Sequence, residues 1–321
     1  MIALTGGAGF IGSVVLKKLN DEGIDDILVI DTLGTGEKWK NLVGKRFLSV
    51  IPKEEFRNGI KCGEYDGKIR LVLHLGACTK TTERDADYLM DNNHRYSIDL
   101  AEYCNRNGVR YIYASSAASY GLGEFGYDDT VFSPLRPLNM YGYSKHVFDE
   151  WMIQTGSLSN SVGLKFFNVF GPNEYHKADM ASMVFKSWRQ ITTSGHVKLF
   201  RSTSPQYSDG GQMRDFVYVK DAVEVIWKLI NSTGISGIYN LGTGIARSWN
   251  DLVLSVFSAM GKDVSIEYID MPALLEQQYQ NFTEADMTRL NATAASHSFM
   301  RLEDSVVDYV QEYLLNNWKY V

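Results

Sequence analysis

The sequence predicts an α/β fold, a doubly wound parallel sheet carrying a smaller α/β lobe. Three observations point to it. The first half alternates short apolar runs with helical periodicity, the pattern of parallel strands joined by crossover helices. Ile27-Leu28-Val29-Ile30 is apolar without a break, as in a strand buried on both faces. Beyond about residue 168 the pattern loosens, and further strands are interleaved with loops.

Taken in order, the first-half strands are predicted over residues 2–5, 27–30, 71–75, 110–114 and 163–167. Between the first two, Ile11, Val15 and Leu19 recur at helical spacing. A helical stretch is predicted over 88–107, ended by Gly108, a natural residue for the left-handed position after a helix. Gly171-Pro172, residues 202–211 and the Pro272 region read as loops, and 215–219 and 238–241 as strands. Ser248, with Asp251 three residues on, resembles a capping box that opens a helix running to Met260. The domain division expected from this covers 1–167 plus about 213–240 for the main sheet, and about 168–212 and 241–321 for the smaller lobe.

The chain has 321 residues, enough to bury one large core or two modest ones. A net charge of −6 argues against a nucleic-acid footprint and against a polybasic membrane patch. No apolar run approaches the roughly 18–20 residues of a membrane span. The first predicted strand begins directly after Met1, so a cleaved leader would remove it. Cys62, Cys78 and Cys104 are odd in number and contain no CxxC pair, which predicts neither a disulfide framework nor a metal site. Reduced thiols and a cytoplasmic location are expected.

Thr5-Gly6-Gly7-Ala8-Gly9-Phe10-Ile11-Gly12 follows the first strand and opens the first helix. Glycines at 6, 9 and 12 allow a tight turn, a close approach of backbone amides to a pyrophosphate, and close helix–sheet packing. The helix N-terminus then turns its free N–H groups and positive dipole end to the phosphates. Asp31 ends the second strand 19 residues beyond Gly12, where an acid binds the adenosine ribose hydroxyls. The residues alone leave NAD and NADP both open. Asp31 would repel a 2′-phosphate, whereas Lys38, Lys40 and Lys53 could neutralise one.

Tyr141 and Lys145 lie four apart in Asn139-Met140-Tyr141-Gly142-Tyr143-Ser144-Lys145, so on a helix they share a face. A free tyrosine, with a pKa of about 10, is a poor base at neutral pH. A neighbouring ammonium and a nicotinamide cation both favour its phenolate. Tyr143, two residues from Lys145, points elsewhere. Ser115 and Ser116 stand at the C-terminal end of a predicted strand, where open α/β sheets place their ligands. A hydroxyl there can hydrogen-bond the reacting oxygen beside Tyr141.

The glycine turn, the 115–121 segment and the Tyr141–Lys145 pair resemble the extended short-chain dehydrogenase/reductases, the NAD-dependent epimerase/dehydratase family. Segments 75–78, 90–93, 137–145, 166–169, 171–177, 180–182, 214–219 and 239–244 extend the likeness over nearly the whole chain, and within that family it is nearest the ADP-L-glycero-D-manno-heptose 6-epimerases. The resemblance implies a Rossmann-type sheet with a substrate lobe, and NADP as cofactor. It would be held by Phe10, Ile11, Asp31, Thr32, Lys38, Lys53, the turn Leu75, Gly76, Ala77, Cys78 and Thr79, Asn92, Lys145, Val169 and Lys177. It implies Tyr141 and Lys177 as the two acid/base groups, although by sequence alone Lys177 reads as a surface lysine. Ser116, Asn168, Asp179, Lys186, Phe200, Arg201, Arg214 and Tyr279 fall in its sugar-nucleotide site.

The reaction implied is inversion at C6 of ADP-D-glycero-D-manno-heptose through a transient 6-keto sugar, a step of lipopolysaccharide core-precursor synthesis, by a homo-oligomer, pentameric in the best-known case. Rival readings are another nucleotide-sugar epimerase, a net reductase, and a dinucleotide-sensing regulator, which would be expected to lose Tyr141 or Lys145. A 4,6-dehydratase would carry an Asp-Glu pair where this chain has Ala117-Ala118. Asp179, Lys186 and Arg201-Ser202 depart from the usual Ser, His and Glu-Gly of the heptose epimerases.

Overall fold

The computed structural model describes residues 1–276 and 279–321. The chain opens with β1 (Ile2–Thr5), α1 (Phe10–Asp21), β2 (Ile27–Ile30), β3 (Ser49–Ile51), α2 (Lys53–Cys62) and β4 (Leu71–His74). Next come α3 (Ala86–Leu89), α4 (Tyr96–Asn107), β5 (Arg110–Ser116), α5 (Met140–Gln154), β6 (Ser161–Phe166) and β7 (Asn168–Phe170). Then follow α6 (Met183–Ser194), β8 (Val197–Phe200), β9 (Met213–Tyr218), α7 (Val219–Asn231), β10 (Gly237–Leu241) and β11 (Ala246–Ser248). The last elements are α8 (Trp249–Ala259), β12 (Ile266–Ile269), α9 (Ala273–Glu276), α10 (Thr288–Asn291) and α11 (Leu302–Tyr309).

Seven strands form one sheet in the order β10-β6-β5-β4-β1-β2-β3, with every neighbouring pair parallel. It is the doubly wound, Rossmann-type sheet the sequence predicts. The strand order reverses between β1 and β4, where crossover connections leave a crevice at the carboxyl ends. Ile2 and Leu4 point to one face, packing with Val14 and Val15 of α1 and Val225 of α7. Ala3 and Ile30 point to the other, with Phe56 of α2, Leu100 of α4 and Phe148 of α5. Each such Val, Leu, Ile or Phe side chain removed fully from water contributes about 1.5–3 kcal/mol.

A three-stranded sheet, β11-β9-β7, and a parallel pair, β12-β8, stand outside the main sheet. The predicted strand at 215–219 is therefore β9, paired with β7 and β11. Strands β3, β7, β8, β11 and β12 have only three or four residues each and, unlike β2, no unbroken apolar run to mark them. The long predicted helix starts earlier than expected, at Ala86, and carries a π-helical turn over Met90–Arg95 before α4. Gly108 ends it with φ +64°. The capping box is present as read: Ser248 Oγ accepts from the Asp251 amide, and the Asp251 carboxylate accepts from the Ser248 amide. No helix among the described residues is long and apolar enough to cross a membrane.

Candidate active site

Thr5 and His74 end β1 and β4 in register, which brings the turns after them into contact. Gly6 adopts φ +70°, and a Cβ there would lie 2.6 Å from the Gly76 nitrogen. A Cβ at Gly12 would lie 2.1 Å from the Gly6 oxygen, so only glycine lets α1 sit this close to the turn. Gly9 differs. Its backbone is extended, and a Cβ would meet only Gly6, at 3.0 Å, among the described residues. The space beyond Gly9 stays open. Within those residues α1 has no side-chain cap and no acid in its first turn, so its leading amides remain free for an anion.

Asp31 accepts from the amides of Ala8 (2.9 Å) and Thr32 (2.7 Å) and is ion-paired with Lys38. Lys53 donates to Asn92 Oδ1 at 3.2 Å. Asn93, absent from the site expected by sequence, grips both backbone groups of Cys78 at 2.9 Å and donates to Ser144 Oγ at 3.1 Å. The turn from Leu75 through Ala77 to Thr79 is thereby fixed to the π-helical turn and to α5. Amides free at a helix start, open space at Gly9 and an acid at the end of β2 fit a dinucleotide.

Asn139 caps α5, its Oδ1 accepting from the Gly142 amide at 2.9 Å. One face of that helix then carries Tyr141 and Lys145, while Tyr143 is exposed. Lys145 is buried, and its Nζ donates to the Ala114 carbonyl at 2.7 Å. Burial pulls Lys145 down to about 8, against the attraction of Asp149. Burial pushes the Tyr141 phenol above its ordinary value, and a hydrogen bond with Ser116 opposes this. The opposing pull at Tyr141 therefore comes from Ser116; the Lys145 ammonium expected to supply it is turned to Ala114.

A cavity of about 470 Å³ joins these groups. Phe10, Ile11, Thr79, Ser116, Tyr141 and Lys177 line it together with Asn168, Val169, Lys186, Phe200 and Tyr279. Lys177 lies over the Phe10 ring, 5.3 Å from its centroid. Burial holds Lys177 below the ordinary lysine value, with Glu174 opposing and Lys186 adding to the depression. Glu174 is itself buried, accepting from Ser182 Oγ at 2.7 Å and from the Gly171 amide at 3.2 Å.

Arg214 is buried with its guanidinium 5.1 Å from the Tyr279 ring and 5.6 Å from Trp249, whose Nε1 donates to the Tyr279 hydroxyl at 2.8 Å. Three residues of the expected sugar-nucleotide site are not part of the cavity wall: Arg214 lies behind Tyr279 and Trp249, which are, and Asp179 and Arg201 stand apart. Asp179 is exposed, and its backbone carbonyl accepts from Lys186 at 2.6 Å. Arg201 turns outward to Asp270 at 2.9 Å. Trp249 and Lys198 also line the cavity, and neither is expected from the sequence. The capping box places Trp249 at a helix start, but no periodicity tells which side it faces.

The NAD dependent epimerase/dehydratase family model matches residues 2–242. The chain is 53% identical over 316 residues to the ADP-L-glycero-D-manno-heptose-6-epimerase of Nitratidesulfovibrio vulgaris, covering 98% of each. It is 45% identical to the enzyme of that name from Fusobacterium nucleatum over the whole of both chains. In three dimensions it is similar to the crystal structure of the Helicobacter pylori ADP-L-glycero-D-manno-heptose-6-epimerase, with a TM-score of 0.81 and 29% identity over 97% of this chain and 95% of that one. A glycine turn at the switch point, a Tyr–Lys pair at the strand ends and this run of relatives agree: the chain belongs to the NAD dependent epimerase/dehydratase family.

Proposed function

We propose that this protein inverts C6 of ADP-D-glycero-D-manno-heptose to the L-glycero epimer, through a transient 6-keto sugar, with no net oxidation. The observation that carries the reading is one cavity lined by both Tyr141 and Lys177, two separate groups able to move a proton, beside the strand-end Ser116. The full-length likeness to relatives of that name supports the sugar. In the same reading residues 1–167 with about 213–240 hold the dinucleotide, although β9 within the latter segment pairs outside the main sheet, and the segments about 168–212 and 241–321 hold the sugar nucleotide.

The amides at the start of α1 and the space at Gly9 would take the pyrophosphate, and Asp31 the adenosine ribose. Lys38 and Lys53 beside Asp31 and Asn92 favour NADP. When bound, the nicotinamide supplies the site that accepts and returns the C6 hydride. Tyr141 Oη and Lys177 Nζ are the two groups that take the C6 hydroxyl proton and return one after the intermediate has presented its other face. Ser116 Oγ holds the reacting oxygen by a hydrogen bond. Arg214, between Tyr279 and Trp249, binds the diphosphate as a fixed guanidinium. A homo-oligomer, pentameric as the family resemblance implies, and a cytoplasmic location complete the reading.

Proton NMR of the purified protein with ADP-D-glycero-D-manno-heptose tests it. Inversion at C6 without added cofactor is the expected result. Release of a stably oxidised or reduced sugar would make the protein a net oxidoreductase, and no change at C6 would remove the heptose assignment.

A further inference from the structure

Behind Tyr141 and Lys145 lies a charge pair with no part in the steps above. Asp149 and Lys165 have side chains with no solvent exposure, and Lys165 Nζ donates to Asp149 Oδ2 at 2.8 Å. Burying two charges is costly, and apolar residues of similar volume often stabilise a core as well or better. This pair is nonetheless held by several further hydrogen bonds. Asp149 also accepts from Ser115 Oγ (2.6 Å) and from the Tyr113 hydroxyl (3.1 Å). Lys165 Nζ also donates to Ser119 Oγ (2.7 Å), and the Ser119 hydroxyl donates to the Ser116 carbonyl (2.8 Å). The ammonium lies 5.1 Å from the Tyr120 ring and 5.4 Å from Phe132.

Placement gives the pair its meaning. Asp149 follows Lys145 by one turn and Tyr141 by two on α5, Lys165 is on β6, and Ser115 and Ser116 are on β5. The network therefore runs from the helix bearing the Tyr–Lys pair, through two buried charges, to the backbone of the strand-end serine. We propose that Asp149 and Lys165 are positioning residues, whose buried pair holds Tyr141, Lys145 and the Ser116 hydroxyl in one mutual geometry. This rests on the reading above that Tyr141 carries a proton beside Ser116.

The carboxylate has a second effect, on charge. The charged and titratable groups around Lys145 and this pair are Asp149, His146 and Glu150 on α5, His74 on β4, Tyr113 on β5, and Tyr120 with Asp129 behind it. Burial holds His74 and His146 below the ordinary histidine value, Glu150 faces His146, and Asp129 is paired with Arg289. Asp149 is the anion left to attract the Lys145 ammonium.

The test is the pH profile of kcat for Asp149→Asn/Lys165→Met, which removes both charges, beside wild type, Lys165→Arg and Tyr141→Phe, with bound dinucleotide measured in each. In the double variant kcat should fall about tenfold or more with KM within about twofold, because misplacement of reacting groups costs rate rather than binding. Its alkaline limb should move to lower pH by about one unit, as Lys145 loses its nearby anion. Lys165→Arg should leave the limb in place. A folded, cofactor-loaded double variant with unchanged kcat and limb overturns the proposal. If that variant fails to fold, Ser119→Ala decides. It keeps both charges and cuts the link to the Ser116 carbonyl, so a loss of kcat at constant KM supports the proposal and an unchanged kcat overturns it. Full turnover in Tyr141→Phe would instead remove the site reading beneath it.

Discussion

Lys145 on α5 donates to the Ala114 carbonyl of β5 at 2.7 Å, tying the helix that bears Tyr141 to the strand that bears Ser116. Burial has brought its ammonium from an ordinary 10.5 to about 8. Below that value the lysine is cationic, a charge-assisted donor that fixes the Tyr141 helix to β5; above it the neutral amine holds the Ala114 carbonyl less strongly. Epimerisation is therefore expected to decline as pH rises through about 8, and a kcat profile that stays flat to about pH 10 would contradict this. Stability moves the other way. With the folded value depressed, the unfolded chain binds more protons between about 8 and 10.5, so this lysine's contribution improves as pH rises through that window. Denaturant midpoints of wild type and Lys145→Met across the window check the sign.

Tyr141→Phe keeps the ring in the cavity and removes the hydroxyl that meets Ser116. Turnover should fall by roughly 10²–10⁴-fold, the usual size of an acid/base contribution, with the dinucleotide still bound. Full activity in this variant would exclude Tyr141 as a proton carrier.

Lys177→Met tests the second group. The ammonium sits on the Phe10 ring in the cavity wall, so a thioether of similar length preserves the packing. C6 inversion is expected to slow by about 10²-fold or more. An unchanged rate would leave Lys177 as a wall residue only.

Coenzyme choice turns on Asp31. Its carboxylate is neutralised by Lys38 and hydrogen-bonded by two amides, so the charge that would repel a 2′-phosphate is offset. Lys38→Ala with Lys53→Ala should weaken NADP by about 1.5–3 kcal/mol while NAD changes little. Titration of both dinucleotides measures the difference, and equal losses for the two would argue for NAD.

Two glycines of one turn should fail in different ways. Gly12→Ala drives a methyl into the Gly6 carbonyl and is expected to cost about 1–3 kcal/mol of stability or more. Gly9→Ala crowds only the Gly6 carbonyl, at 3.0 Å against 2.1 Å for Gly12, so its melting temperature should fall much less than that of Gly12→Ala while dinucleotide content drops. Loss of stability in both, with cofactor retained at Gly9→Ala, would mean that the space beside Gly9 serves packing alone.

Local patterns in the sequence carry much of this architecture. Strands β1 and β2 lie where Ile2-Ala3-Leu4 and the unbroken Ile27–Ile30 run place them, because a strand covered on both faces is apolar nearly throughout. The glycine spacing, the Tyr141–Lys145 interval and the Ser248–Asp251 cap are equally local and equally legible. Contacts between residues distant in sequence are not. Asn93 grips Cys78 only because a π-helical turn rotates it there, and Lys165 meets Asp149 only because β6 lies beside β5 and under α5. Trp249 reaches Arg214 and Tyr279 through a fold-back from β9 to α8. Arg201, grouped with the sugar site by resemblance, finds a nearer acid in Asp270 and turns away.

The position of β10 at the outer edge, beside β6, bears on how the chain is made. Residues 168–236 leave the main sheet after β6 and return only at Gly237 to complete it. During synthesis, β6 therefore waits with one row of backbone donors and acceptors bare until about three quarters of the polypeptide has emerged, an interval in which a nascent strand can pair with the wrong neighbour. Fragments ending near residue 170 would keep that bare row permanently, which makes them poor candidates for a free-standing nucleotide-binding half.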